Sequence, residues 1–188
     1  MPNWCENYCL IKHTDRSKLE ELKSHCEIEN VDIFSFIKPE PDYAITPVPR
    51  WNPKNEKEKT AVITRDSWWH WRANNWGTKW EPSIYSVEII SEESSEVVLS
   101  LSFDTAWSPP EGIYAALVEK CFDVKAFYIE SSMGFAGVWD NGEDSCYSVL
   151  SLSGAEEVFP NELKEVFPPE SYFYDDKTKP QKSWWRKR

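Results

Sequence analysis

The stretch YSVEIISEESSEVVLSLSF, residues 85–103, decides the fold class. Apolar residues alternate with their neighbours over 85–89 and again over 97–103, which is the period of a strand with one buried face. Between the two runs, Ser91-Glu92-Glu93-Ser94 provides a polar turn. The stretch therefore predicts an antiparallel hairpin whose buried face holds Tyr85, Val87, Ile89, Val97, Leu99, Leu101 and Phe103.

Upstream of the hairpin, the first forty residues predict a β-α-β unit. Residues 7–13 are short and apolar-rich, as in a strand, and Ser17 with Glu20 three residues later is a capping-box signature for a helix. Val31–Ile37 is rich in β-branched and aromatic residues and is stopped by Pro39, so it predicts a second strand.

Downstream of the hairpin, the sequence predicts a helix and then further strands. Ser108 has the character of an N-cap, with Pro109 at the first helical position. Asn141-Gly142 predicts a tight hairpin turn, because both residues tolerate a positive φ. Strands are predicted at 124–130, 135–139 and 147–152, and a short helix around 161–167.

This order of elements predicts an α+β fold, with two helices on one face of an antiparallel sheet in a ferredoxin-like arrangement and one additional hairpin. The predicted organisation is a single domain over residues 1–154. It carries a long Pro- and Trp-rich insertion at 39–82. Five prolines and a charged run give residues 39–66 a different composition from the segments on either side. Residues 155–188 are predicted to form a C-terminal extension with a basic tail.

Composition excludes several classes of protein. Of the 188 residues, 40% are hydrophobic, which is enough for a sizeable core, and no apolar run approaches the ~20 residues of a membrane helix. Residues 1–13 contain neither a basic leader nor an uninterrupted apolar segment, so no secretory signal is predicted and the cytosol of the host cell is the expected location. The five cysteines are therefore predicted to be reduced and mostly buried. No metal site is predicted. On a strand, Cys5 would lie ~13 Å from Cys9, and Cys9 the same distance from His13, which is too far for neighbouring members to bind one ion.

The charge is divided by region. Residues 1–80 hold 12 basic and 12 acidic side chains, whereas residues 81–176 hold 3 basic and 20 acidic side chains, a net charge of −17. Residues 177–188 (KTKPQKSWWRKR) hold six basic side chains and no acidic one. The net charge of −11 therefore comes from the second half of the chain.

A tryptophan-rich stretch, SWWHWRANNWGTKWEP at 67–82, holds five of the 11 tryptophans. One interpretation is an aromatic platform for single-stranded nucleic acid, because bases stack on indoles while cations contact phosphate. The other, which we favour, is that most of the indoles pack in the core, with Gly77 ending a short helix. The platform residues would be Trp68, Trp69, Trp71, Arg72, Asn75, Trp76, Lys79 and Trp80.

The acidic half has two interpretations as well, a solvated surface or a partner-binding face that presents carboxylates as a nucleic acid presents phosphates. Carboxylates at two turns and along one strand would form a row of negative charge. The residues of this predicted acidic face are Glu88, Glu92, Glu93, Glu96, Asp140, Glu143 and Asp144.

Four motifs resemble the YubB-like, ferredoxin-fold family of uncharacterised proteins from phages and conjugative plasmids. They are Met1-Pro2-Asn3-Trp4-Cys5 with Asn7, Trp71-Arg72 with Asn75-Trp76-Gly77-Thr78-Lys79-Trp80, Phe103-Asp104-Thr105-Ala106-Trp107-Ser108-Pro109-Pro110, and Gly134-Phe135-Ala136-Gly137. The resemblance covers about residues 1–140 and implies a ferredoxin-like fold and a mobile-element origin, without catalytic residues.

These observations predict a non-enzymatic interaction protein of a phage or plasmid. The chain has no glycine-rich phosphate loop, GxSxG elbow or HExxH motif, and no cofactor is predicted. The predicted partner is a basic host protein that handles nucleic acid or serves in defence, inhibited through the acidic face. The alternative is a single-stranded nucleic-acid-binding module that uses the block at 68–80.

Overall fold

The computed structural model of the protein describes residues 3–28, 32–41, 68–91 and 97–174. Six strands and seven helices lie in these ranges. The strands are β1 (Trp4–Lys12), β2 (Ser83–Ser91), β3 (Val97–Ala106), β4 (Asp123–Glu130), β5 (Phe135–Asp140) and β6 (Glu143–Ser148). The helices are α1 (Arg16–Glu27), α2 (Ile33–Ile37), α3 (Trp68–Asn75), α4 (Glu111–Glu119), α5 (Leu152–Val158), α6 (Asn161–Val166) and α7 (Pro169–Tyr172).

All six strands join one sheet in the order β2-β3-β1-β4-β5-β6, and every neighbouring pair is antiparallel. The predicted hairpin at 85–103 is β2 and β3, and the Asn141-Gly142 turn joins β5 to β6 with positive φ at both residues. The predicted α+β class is therefore confirmed.

The first face of the sheet carries the larger core. Alternate side chains of β1 and β4, among them Ile11 and Val124, pack with Leu19 and Leu22 of α1 and with Leu117 of α4. Successive side chains of a strand point to opposite faces, so the intervening residues must be covered from the other side.

The second face is covered by the C-terminal helices. Phe127 and Ile129 of β4 pack there with Phe159, Leu163 and Phe167, which follow or belong to α5 and α6. Helices therefore lie on both faces of the sheet, and the prediction of helices on one face only was wrong. The continuous burial of β4 from Ala126 to Glu130 reflects this second layer, because successive side chains of a strand point to opposite faces and here both faces are covered. The predicted boundary after residue 154 lies inside α5.

The predicted strand at Val31–Ile37 was wrong in its described part, which is the helix α2. The Glu81 carboxylate accepts hydrogen bonds from the Phe34 N–H (2.9 Å) and from the Ser35 hydroxyl (3.2 Å), so it occupies the N-terminus of α2. Burial raises the pKa of Glu81 above its ordinary value, although the Phe34 bond acts in the opposite direction. Residues 33–37 thus become helical through a partner more than forty positions away.

Two predicted helix caps were also wrong. The N-cap of α1 is Asp15, whose carboxylate accepts the Ser17 N–H at 2.9 Å, rather than Ser17 itself. The N-cap of α4 is Pro110, and Ser108 instead donates its hydroxyl to the Gly77 carbonyl at 2.6 Å. In each case the N-cap lies two residues from the predicted position.

Two predictions about the strands were wrong: the start of β6 and the face of β2 on which Tyr85 lies. The returning strand predicted at 147–152 begins at Glu143, because the two-residue turn pairs Asp140 directly with Glu143. A bulge between Ile84 and Ser86 moves Tyr85 off the first face, so Ile84 packs in the core with Val87 while Tyr85 is exposed.

None of the helices in the described ranges has the length and apolarity needed to cross a membrane. All five cysteines are free, with Cys5 and Cys9 buried and Cys121 and Cys146 exposed. Burial raises the pKa of the Cys9 thiol to about 12.

Candidate functional site

The tryptophan-rich block divides into a buried part and an exposed part. Trp76 is fully buried, donates its indole N–H to the Lys38 carbonyl at 2.9 Å, and meets Trp71 and Phe34 edge to face at centroid distances of 5.9 and 5.7 Å. Asn75 donates to the Trp71 carbonyl at 2.9 Å. The core interpretation is therefore confirmed for Trp76, while Trp71 is only half-buried. Most of the predicted insertion, residues 42–67, lies outside the described residues.

Arg72 belongs to the buried part of the block. Its guanidinium lies over the Trp76 ring at 4.4 Å and the Trp68 ring at 5.3 Å, and its Nε donates to Glu40 at 2.6 Å. A guanidinium already paired with a carboxylate and stacked between indoles is not available to a phosphate. Arg72 thus holds α3 to the residues that follow α2.

The exposed part forms a surface with two tryptophans from elsewhere in the chain, which we call the aromatic face. It combines the start of α3, the loop before β2, the start of β1 and the turn after β3. Trp4, Trp69 and Trp107 are 43%, 42% and 41% exposed, unusually open for side chains of this size. The aromatic face consists of Trp4, Trp68, Trp69, Lys79, Trp80 and Trp107.

Lys79 lies at the centre of the aromatic face. Its ammonium is 5.2 Å from the Trp80 ring centroid, 5.5 Å from that of Trp107 and 6.0 Å from that of Trp68. Trp80 in turn is 5.5 Å from Trp107 and 6.3 Å from Trp4, centroid to centroid. The face therefore presents one cation surrounded by π-surfaces.

Trp107 has a backbone conformation that bulky residues rarely adopt, with φ of +67°. Surrounding hydrogen bonds hold it there: its N–H donates to the Asn3 carbonyl at 2.9 Å, and Thr105 donates to the Ser108 carbonyl at 2.8 Å. Thr78 donates to the adjoining Ala106 carbonyl at 3.0 Å. A non-glycine residue in the left-handed region is strained and persists only where neighbours impose it, which is common at binding sites.

A cavity of about 290 Å³ opens beside Lys79. Trp69 and Trp107 line it together with the small residues Ala73, Gly77 and Ala106. Gly77 has φ of +90°, and a Cβ there would come within 2.9 Å of the Pro109 carbonyl oxygen. Small side chains thus leave open space next to exposed indoles. His70, at the start of this region, stacks on Trp69 with centroids 3.6 Å apart.

The predicted acidic face is not a single surface among the described residues. Glu88 is exposed on β2, at one edge of the sheet, whereas Asp140 and Glu143 are exposed at the β5–β6 turn. Four strand spacings separate β2 from β5, or roughly 19 Å. Asp144 accepts the Tyr128 hydroxyl at 2.8 Å. Glu92, Glu93 and Glu96 lie outside the described residues.

A second concave region, which we call the carboxylate groove, lies on the second face beside α6 and α7. Asp104 adjoins it as the cross-strand neighbour of Glu6, and its lining includes Glu6, Tyr8, Tyr85, Glu165 and Tyr172. Glu6 and Asp104 are directly paired across β1 and β3, and the Tyr172 hydroxyl donates to Glu6 at 2.7 Å. Asp104 Oδ1 is buried without a hydrogen-bond partner in the described part of the chain. Burial and the charge of Glu6 raise the pKa of Asp104.

Sequence reasoning missed the two tryptophans that complete the aromatic face. Trp4 and Trp107 are more than a hundred residues apart, and the pairing of Trp4 with Ala106 brings them to the same end of the sheet. Both lie in motifs that carry the family resemblance, which was the available signal. Within the described ranges, no group of three or more His, Cys, Asp or Glu side chains is arranged to hold a metal ion.

No protein-family model matches the chain, and no curated protein matches it in sequence. A solved structure, the crystal structure of the protein api92 from Yersinia pseudotuberculosis with the family model DUF1281, is similar over 79% of this chain and 99% of its own. The two are 9% identical in sequence, and the TM-score is 0.41.

Proposed function

We propose that this protein is a non-enzymatic binding protein whose aromatic face contacts single-stranded nucleic acid. The observation that carries the proposal is Lys79 among three indoles, next to Trp107 in a strained conformation and at the mouth of an open cavity. Indoles offer stacking surfaces to any base, and a central ammonium can contact the phosphate between two of them.

Stacking rather than charge supplies the affinity in this proposal. Each stacked base contributes about 1–3 kcal/mol, whereas the net charge of −11 works against phosphate. With Arg72 engaged by Glu40, Lys79 is the cation of the aromatic face. One phosphate contact to a single strand predicts a shallow salt dependence, with a slope of about −0.7 in log K against log salt.

The test is fluorescence anisotropy of a labelled single-stranded oligonucleotide titrated with the full-length protein. Trp107→Gly removes one indole at a position where glycine tolerates the positive φ, so the turn is retained. We expect binding to weaken by about 5- to 150-fold, the equivalent of one stacked base. Lys79→Gln should flatten the salt dependence.

The matched control is Phe36→Ala. Phe36 is also an exposed aromatic residue, but it stacks on His25, away from the aromatic face. Unchanged affinity of the Phe36→Ala variant with weaker binding by Trp107→Gly supports the proposal. Equal affinities for all variants, or no binding at physiological salt, would reject it.

The competing proposal is a counter-defence inhibitor that presents the predicted acidic face to a basic host nucleic-acid-handling or defence protein. Its support is the net charge of −17 over residues 81–176 and the exposure of Glu88, Asp140 and Glu143. Against it stands the separation of these carboxylates, and Lys125, which pairs with Asp140 at 3.6 Å, reduces the charge at one turn. We therefore rank it second.

The origin and the finer fold class belong to the same proposal. The order β2-β3-β1-β4, with helices after β1 and β3, supports a ferredoxin-like unit extended by β5 and β6. The YubB-like motifs support an origin in a phage or plasmid and action in the host cytosol. Neither point is needed for the binding test.

A further inference from the structure

The carboxylate groove has negative charge that the described residues do not neutralise. Glu6 and Asp104 are direct cross-strand partners, and like charges in this position destabilise a sheet. No lysine or arginine of the described ranges forms an ion pair with either of them. Asp104 Oδ1 is out of contact with solvent and has no hydrogen-bond donor among the described residues. A buried carboxylate oxygen without a partner is costly, so the groove is complementary to a cationic donor.

The groove is also large enough for a chain segment. Its volume is about 390 Å³, and Tyr8, Tyr85 and Tyr172 line it together with Glu6 and Glu165. Aromatic walls with carboxylates suit a lysine or arginine side chain, because the apolar stem lies along the rings while the charged end reaches the carboxylates.

The C-terminal end of the described chain lies at this groove. Tyr172 donates its hydroxyl to Glu6, and the described residues end two positions later, at Tyr174. Lys177 follows Tyr172 by five residues, which extend to at most about 17 Å, and Lys179 and Lys182 come shortly after. A short length of chain is therefore enough to bring these ammonium groups to Asp104.

We infer that the carboxylate groove is the docking site of the chain's own basic segment, residues 177–188, with a lysine ammonium between Glu6 and Asp104. Charge complementarity selects this occupant, since the segment carries six cations and no acidic residue. Attachment at Tyr174 makes the encounter intramolecular, which gives the segment a high effective concentration that a separate basic peptide lacks. The inference does not rest on the proposed function.

The first test is a thermal double-mutant cycle on the full chain. We expect neutralising the tail with K177Q, K179Q and K182Q to lower the unfolding midpoint by about 2–4 °C. The same three changes should have no effect in a background carrying Glu6→Gln and Asp104→Asn, because the groove has then lost its charge. A background with Glu119→Gln, an exposed carboxylate on α4 at the first face, serves as the control and should retain the full shift.

The second test measures the pKa of Asp104 directly and remains valid if a variant is destabilised. A carboxyl NMR titration should give a lower pKa for Asp104 in the intact chain than in the K177Q/K179Q/K182Q variant, because a nearby ammonium favours the carboxylate. Carbodiimide coupling of equal amounts of ¹⁵N-labelled and unlabelled protein should link tail lysines to Glu6 or Asp104 within one molecule. Additive midpoints with an unchanged pKa, or links only between molecules, would overturn the inference.

Discussion

Trp76 and Trp69 are seven positions apart in one aromatic block, and their surroundings differ completely. Trp76 is enclosed by Phe34, Trp71 and the Arg72 guanidinium and satisfies its indole N–H, whereas Trp69 lies at the surface against His70. The first contributes to the free energy of unfolding, and the second is available to a ligand.

The difference gives a stability prediction. Trp76→Ala removes a fully buried aromatic side chain and should cost about 3–5 kcal/mol. Trp69→Ala should change the free energy of unfolding by less than about 0.5 kcal/mol, because the indole is exposed. Urea denaturation of both variants measures the two values. Similar losses for both would mean that Trp69 is as much a part of the core as Trp76.

Part of this division was accessible from the residue types. Asn75, Gly77 and Thr78 have the local roles expected of short polar and glycine residues, two backbone hydrogen bonds and a positive φ after a helix. The identity of the exposed indoles was not accessible, because the exposure of Trp4 and Trp107 depends on where β1 and β3 end relative to each other. That relation is a property of the sheet and has no local signature.

At the level of the helices, α1 begins at a charged cap. The Asp15 carboxylate is hydrogen-bonded to the hydroxyl and to the backbone N–H of Ser17, and these bonds lower the pKa of the carboxyl. Because the folded-state pKa is below that of the unfolded chain, the stabilisation is present above about pH 4 and is lost as the pH falls through the lowered pKa.

This cap predicts a specific dependence on pH. Asp15→Ala should lower the thermal midpoint at pH 7, because it leaves the Ser17 N–H without its acceptor. Asp15→Asn should retain most of the stability, since asparagine is also a good N-cap. The difference between wild type and Asp15→Ala should shrink below pH 4, which calorimetry from pH 3 to 7 would measure. A constant difference over this range would show that the charge of Asp15 plays no part.

The elements differ in how far local sequence determines them. The β2–β3 and β5–β6 hairpins follow from alternation and from the Asn141-Gly142 turn, both of which are local. The helix α2 does not, because the Glu81 carboxylate that caps it lies 47 residues after Phe34, near the end of the predicted insertion. The bulge at Tyr85 likewise reverses one side chain in a strand whose existence was correctly predicted.

In the whole molecule, the sheet separates two hydrophobic cores. One core is covered by α1 and α4, and the other by α5, α6 and α7. The strand content and the first layer of helices could be predicted, since both follow from periodicity. The second layer could not be placed, because its short helices carry apolar residues without a regular stripe. Phe127 and Ile129 belong to the same apolar cluster as Phe159, Leu163 and Phe167 of this layer.

The shared sheet predicts how truncation acts. A chain that ends at residue 154 loses Phe159, Leu163 and Phe167 and exposes the second face of β4 and β5. We expect it to be aggregated or only partly folded by circular dichroism and gel filtration, because each lost aromatic removes about 150–250 Å² of buried surface. A chain that ends at Tyr174 should keep cooperative unfolding. A cooperatively folded 1–154 fragment would instead show that the first core is sufficient.

The central place of β1 in the sheet has a consequence for synthesis of the chain. Trp4 pairs with Ala106 of β3 and Glu6 pairs with Ile129 of β4, so both edges of β1 pair with strands that are synthesised much later. At about 5–20 residues per second, the ribosome needs roughly 5–20 s to reach Ala106. During that time the first strand is an unpaired template that other nascent chains can join. Yield in a cell should therefore depend more on what shields β1 during translation than on the stability of the finished sheet.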